Sequence, residues 1–175
     1  MKMYHMIILL LMADLIASAE GSSTIENIRR LFENAARNET SCDQLIGILG
    51  KVDDPNSTHL IQGYRGVALM IKARYNYNPY TKYNKFVKGK KMLEYAIVKD
   101  KNNIELRYLR FAIQNNVPKI LGYNNNIEDD KNVLISELHN LSDVTLKRNI
   151  ASLLLMSNQC NAIEKEWIRK QQKNN

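Results

Sequence analysis

The chain has 175 residues, 45% hydrophobic and 25% charged, and its 25 Lys and Arg outnumber 18 Asp and Glu to leave a net charge of +7. That length fits one domain with one ordinary core, and two cysteines are too few for a zinc cluster. The charge excess describes a surface that attracts anions and says nothing of the fold.

The first residues carry the pattern of a cleavable secretory signal. Lys2 precedes an unbroken apolar run, Met6 to Met12, and Ala17-Ser18-Ala19 is a small-x-small site ahead of Glu20. Asp14 interrupts the run well short of the ~20 apolar residues that a membrane-spanning helix needs. A buried N-terminal helix of the mature fold is the alternative. Cleavage after Ala19 predicts a signal peptide over 1–19 and a single mature domain over 20–175, exported to a periplasm or secreted. In that compartment Cys42 and Cys160 are candidates for one disulfide. It would close a long loop and contribute about 4–5 kcal/mol by chain entropy. Two buried thiols are the alternative.

The remaining segments read as helices. Ser23-x-x-Glu26 is a capping box that opens a helix over 24–37, with Ile25, Ile28, Leu31, Phe32 and Ala35 on one face. Ser41-x-x-Gln44 repeats the start signal for a short helix to Leu49, and Asp54-Pro55-Asn56 marks a turn. A third helix spans about 57–75. Its Gly63 and Gly66 each cost about 1 kcal/mol of propensity against alanine, which makes sense where another helix packs close. "NYNPYTKY" reads as an aromatic loop, followed by helices over about 83–100, 103–115, 126–139, 142–156 and 161–172. No segment alternates at period 2, so the expected fold is all-α, with seven or eight antiparallel helices joined by short connections.

Gly89, Leu93 and Ala96 stand at the spacing of the second helix of a tetratricopeptide-type repeat. The "DKNN" turn and "IELRYLRFAI" resemble the entry to a next repeat, and "LIQGYRGVALMIKA" resembles a first helix. The match covers about 60–115, with Lys101 where the family carries its usual proline. The resemblance implies TPR-like helical hairpins, stacked so that a groove binds a protein or peptide partner. The opening stretch also resembles small exported proteins of Bacteroidetes-type bacteria.

Candidate sites are few. His59 and His139 have no ligand partner at helical spacing, no nucleophile sits in a recognisable context, and no cofactor motif occurs. The sequence therefore leans against an enzyme. A glycan-directed enzyme without a local motif stays open, with Glu94 and Glu105 as carboxylates by elimination. Arg107, Arg110 and Gln114 form a line at i, i+3 and i+7 and are the candidate groove residues. Either they form an open site, or the corner at Gly122 returns Asp129 or Asp130 against the arginines as an ion-pair clasp. The stretch from Arg74 to Lys91 holds six positive charges and no acid, interleaved with tyrosines. Its Lys82, Lys85, Lys88, Tyr80 and Tyr83 are the candidates for binding an anionic envelope polymer, while export disfavours nucleic acid as the partner. A solvated helix face beside a packed loop is the plain alternative. Asn-x-Ser/Thr triplets at Asn38, Asn56 and Asn140 decide nothing.

Overall fold

The computed structural model describes residues 24–52 and 58–173; the expected signal segment, Ser23 and the Asp54-Pro55-Asn56 turn lie outside them. Every regular element described is helical: α1 (24–35), α2 (Glu39–Lys51), α3 (His59–Arg74), α4 (Pro79–Lys99), α5 (Ile104–Gln114), α6 (Ile127–Glu137), α7 (Val144–Met156) and α8 (Ala162–Lys173). Short 3-10 turns follow α5 at Lys119–Leu121 and α6 at Leu138–Asn140. The all-α expectation holds. Among the described residues no helix is long and apolar enough to cross a membrane.

Side-chain caps decide where these helices begin, because the first N–H groups of a helix have no partner inside it. Asn103 accepts from Glu105 N and Leu106 N, and Asp143 from Leu146 N. Asn161 and Glu164 bond reciprocally to each other's backbone N–H. Two starts differ from the sequence reading. Helix α2 is capped by Asn38, whose side chain takes Ser41 N at 3.1 Å, so Ser41 lies inside the first turn instead of opening the helix. Helix α4 starts at Pro79, not near Tyr83, because Asn78 accepts from Tyr80 N and Thr81 N. Proline at the first helical position loses no hydrogen bond and has the right φ. The expected aromatic loop is thus mostly helix.

Helix α3 packs on α2, α4 and α5, while α5 packs on α3, α4, α6 and α7, and α7 on α8. Phe32 of α1 meets Tyr64 of α3 and Tyr108 of α5 edge-on, with ring centroids 5.8 and 5.9 Å apart. Successive odd-numbered helices are therefore neighbours, and each even-numbered partner from α4 onward lies against the helix before it. The α3–α4 contact is backbone on backbone. A Cβ at Gly66 would lie 2.6 Å from Gly89 O and 2.8 Å from Leu93 N, and one at Gly89 would collide with Gly66 O.

Helix α5 is central. From Glu105 to Gln114 only Arg107 is not buried, although the segment contains Glu105, Arg107, Arg110 and Gln114. Its apolar residues Leu106, Leu109 and Phe111 are fully enclosed. Ionised groups in such a place must find charged partners, since an unpaired buried charge costs several kcal/mol.

Candidate functional site

The partners form two clusters on either side of α5. On one side, Glu105 takes Arg29 Nε on Oε1 and Arg29 Nη2 on Oε2, both at 2.7 Å. Tyr64 donates its hydroxyl to the same carboxylate at 2.6 Å. Arg29 Nη1 then reaches Asp143, the cap of α7, at 2.7 Å. Bonding to Glu105 raises the Arg29 guanidinium above its ordinary range, against the pull of burial. One arginine of α1 thus ties α5 to the start of α7.

On the other side, the corner at Gly122 (φ 56°) turns the chain so that α6 lies along the arginine line. Asp130, fully buried, accepts from Arg110 Nε at 2.6 Å, Arg110 Nη2 at 2.8 Å and Arg107 Nη1 at 3.1 Å. Glu94 of α4 takes Arg110 Nη1 at 3.0 Å and the Tyr123 hydroxyl at 2.5 Å. The clasp is formed by Asp130; Asp129 stays exposed. Arg110 and Gln114 are buried, at 5% and 4% exposure, and neither amide atom of Gln114 has a hydrogen-bond partner among the described residues. Neither lines an open groove: Asp130 of α6 lies against Arg110, and Gln114 is enclosed as well.

Glu94 and Glu105 are accordingly paired with arginine and tyrosine. The depression between α1 and α7, about 350 Å³ and lined by Glu26, Arg30, Glu33 and Arg148 among others, contains neither. Among the described residues no group of three His, Cys, Asp or Glu is placed to hold a metal ion.

The three enclosed phenols have a consequence at high pH. Burial raises Tyr64, Tyr108 and Tyr123, and the neighbouring Glu105 adds to the rise at Tyr64, as the hydrogen bond to Glu94 does at Tyr123. A phenol held neutral in the fold contributes stability that is whole below its ordinary pKa of about 10 and is lost as pH climbs beyond it. Absorbance at 295 nm should show a set of phenols that ionise only as helical circular dichroism collapses. Ionisation of every phenol ahead of that collapse would contradict their enclosure.

Cys42 and Cys160 are free and buried, so the candidate disulfide is not formed. Burial pushes the Cys42 thiol up to about 11, and it lies 3.9 Å from Ala68 O; burial raises Cys160 as well. Both thiols should resist an aromatic disulfide reagent until urea unfolds the chain, and reductant should leave Tm unchanged. A Tm that drops by several degrees on reduction would show a bond between them.

The basic-aromatic segment is different, because its side chains are open. Tyr77, Tyr80 and Tyr83 are 102%, 75% and 58% exposed. Lys82, Lys88 and Lys91 are exposed and in no ion pair among the described residues, whereas Lys72 and Lys131 each contact two carboxylates. Lys85 is half-buried, 3.4 Å from Asn76 Oδ1, and Phe86, Gly89 and Leu93 turn to the core. With α4 starting at Pro79, Tyr80, Asn84, Lys88, Lys91, Tyr95 and Val98 recur at spacings of three and four on its outer face, and of these Tyr80, Tyr95 and Val98 are large and exposed. Sequence reasoning ended the segment at Lys91 and missed Tyr95 and Val98; counting helical turns from Asn78-Pro79 as a cap would have found them.

No protein-family model, no curated protein and no solved structure matches this chain.

Proposed function

We propose that the chain is a non-enzymatic helical module, exported and built of TPR-like hairpins, that binds a protein or peptide partner. The observation that supports it is the outer face of α4. Five of the nine large apolar or aromatic side chains most open to solvent among the described residues are Tyr77, Tyr80, Tyr83, Tyr95 and Val98, on or just before this one helix. Tyrosine provides rigid, amphipathic contact area at low entropic cost and is favoured in binding surfaces. In this reading α4 replaces the Arg107, Arg110 and Gln114 line as the contact surface. The second reading, an anionic envelope polymer, draws on Lys82, Lys88 and Lys91, exposed and unpaired among the described residues.

Photo-crosslinking in the native cells tests the first reading. p-Benzoylphenylalanine at Tyr80 or Tyr95 should yield a discrete protein adduct, and the same probe at Lys170 on α8 should not. Absence of a protein adduct from both α4 positions overturns it.

A further inference from the structure

The α4 face has a chemical layout that narrows the partner further. At its N-terminal end stand Tyr77, Tyr80 and Tyr83, and at its C-terminal end Tyr95 and Val98, all exposed. Between them lie Lys88 and Lys91, exposed and in no ion pair with any described residue. No acidic residue occurs from Arg74 to Leu93. Glu94, the next acid, faces inward to Arg110 and Tyr123. Lys99 lies over the Tyr95 ring, 5.6 Å from its centroid, so the far end is cationic as well as aromatic.

The order along the helix is therefore aromatic, basic, aromatic-aliphatic. Tyr80 and Tyr95 are fifteen residues apart, roughly 22 Å at 1.5 Å per residue. An extended peptide covers that distance in about seven residues at ~3.3 Å each.

From this juxtaposition we infer that the outer face of α4 docks an acidic peptide segment of a partner protein, with carboxylates over Lys88 and Lys91 and an apolar side chain against the tyrosines at each end. This rests on the binding-module reading above. A polypeptide can alternate apolar and acidic groups on that scale. A polyuronic acid or an array of lipid head groups presents anions uniformly and leaves the end tyrosines without apolar partners. The cations on this face are lysines, which act as point charges without the bidentate geometry that arginine brings to phosphate. A membrane-surface helix would need a broad apolar stripe, and here Lys88 and Lys91 interrupt it.

The test is fluorescence anisotropy with the folded protein at low salt. One probe is a labelled nine-residue peptide with phenylalanine near each end and glutamates between them. The comparison probes are its glutamine counterpart, polyglucuronate and vesicles containing phosphatidylglycerol. The acidic peptide should bind, and binding should weaken at least tenfold with the glutamine peptide and in the K88E/K91E variant. It should weaken comparably in Y80S/Y95S, whose substitutions lie on the solvent face and leave the charge unchanged. Polyglucuronate or vesicles binding as tightly as the peptide would overturn the inference, as would peptide binding indifferent to Tyr80 and Tyr95, or none at low salt. A protein crosslinked through α4 in cells but lacking an acidic segment at the adduct would sink the inference and leave the binding-module reading standing. Absence of any adduct would remove both.

Discussion

Glu105→Gln should lower the stability of the fold by about 3–5 kcal/mol, the range for removing one partner of a buried ion pair. The carboxylate is 4% exposed and takes two guanidinium N–H groups and one hydroxyl. A glutamine keeps the shape, but its NH2 would face one N–H donor of Arg29, leaving Asp143 as the one carboxylate that cation contacts. Asp143 lies at the half-exposed end of the cluster, where solvent weakens the attraction. Urea titration should show the loss as a lower midpoint with the slope retained. Replacing the cluster as a unit is a different experiment. Arg29→Met, Glu105→Leu and Tyr64→Phe together remove the charges and the hydroxyl, so no buried ion is stranded. That triple variant should be more stable than Glu105→Gln alone. A single variant within about 1 kcal/mol of the parent would mean that Arg29 and Glu105 are not paired in solution.

Gly89→Ala and Gly66→Ala are the other severe changes. Alanine is the better helix former by about 1 kcal/mol, so propensity alone predicts a gain. The contact between α3 and α4 reverses the sign. At Gly66 the added carbon would lie 2.6 and 2.8 Å from backbone atoms, and at Gly89 it would meet the Gly66 carbonyl. Backbone cannot rotate aside as a side chain can, so the helices must separate and the shared core with them. A net loss of about 2–3 kcal/mol is expected from each, within the range for overpacking. Gly47→Ala is the internal control, since nothing beyond its chain neighbours and its own helix backbone lies within 4 Å of its added carbon, and it should gain up to about 1 kcal/mol. Thermal denaturation of the three variants reads the contrast directly. Equal effects at Gly47, Gly66 and Gly89 would rule out the close approach.

Gly63 and Gly66 illustrate how much of this was legible beforehand. Two glycines inside an otherwise helical pattern imply a close neighbour, because nothing else offsets their propensity cost. The identity of that neighbour was not legible. Gly66 meets Gly89 across the hairpin, whereas the Cβ position of Gly63 is occupied by a methyl of Leu106 from α5. One-dimensional pattern predicts that a face is crowded without saying by what.

The line Arg107, Arg110, Gln114 shows the opposite limit. Its helical spacing was clear, and so was the chance that an aspartate after the Gly122 corner would return to it. Whether the line faced solvent or another helix depended on where α6 came to lie, and α6 sets Asp130 against Arg110. The Arg29–Glu105 pair gave no signal in sequence, because the partners are 76 residues apart and each sits in a helix where an exposed charge is ordinary. For α4 the local chemistry was misread: Asn78-Pro79 is a helix cap, and treating it as loop concealed the register that aligns Tyr80 with Lys88, Lys91 and Tyr95.

The sequence by itself determined that this is an all-α chain, most of its helix boundaries and the basic character of 74–91, because propensity, capping and charge are local properties. Tertiary structure alone decided which charged residues are interior and which face water. Burial is a property of the neighbours that cover a helix, and a helix such as α5, flanked by α3, α4, α6 and α7, can enclose Glu105 and Arg110 only because Arg29 and Asp130 arrive from elsewhere in the chain to pair with them.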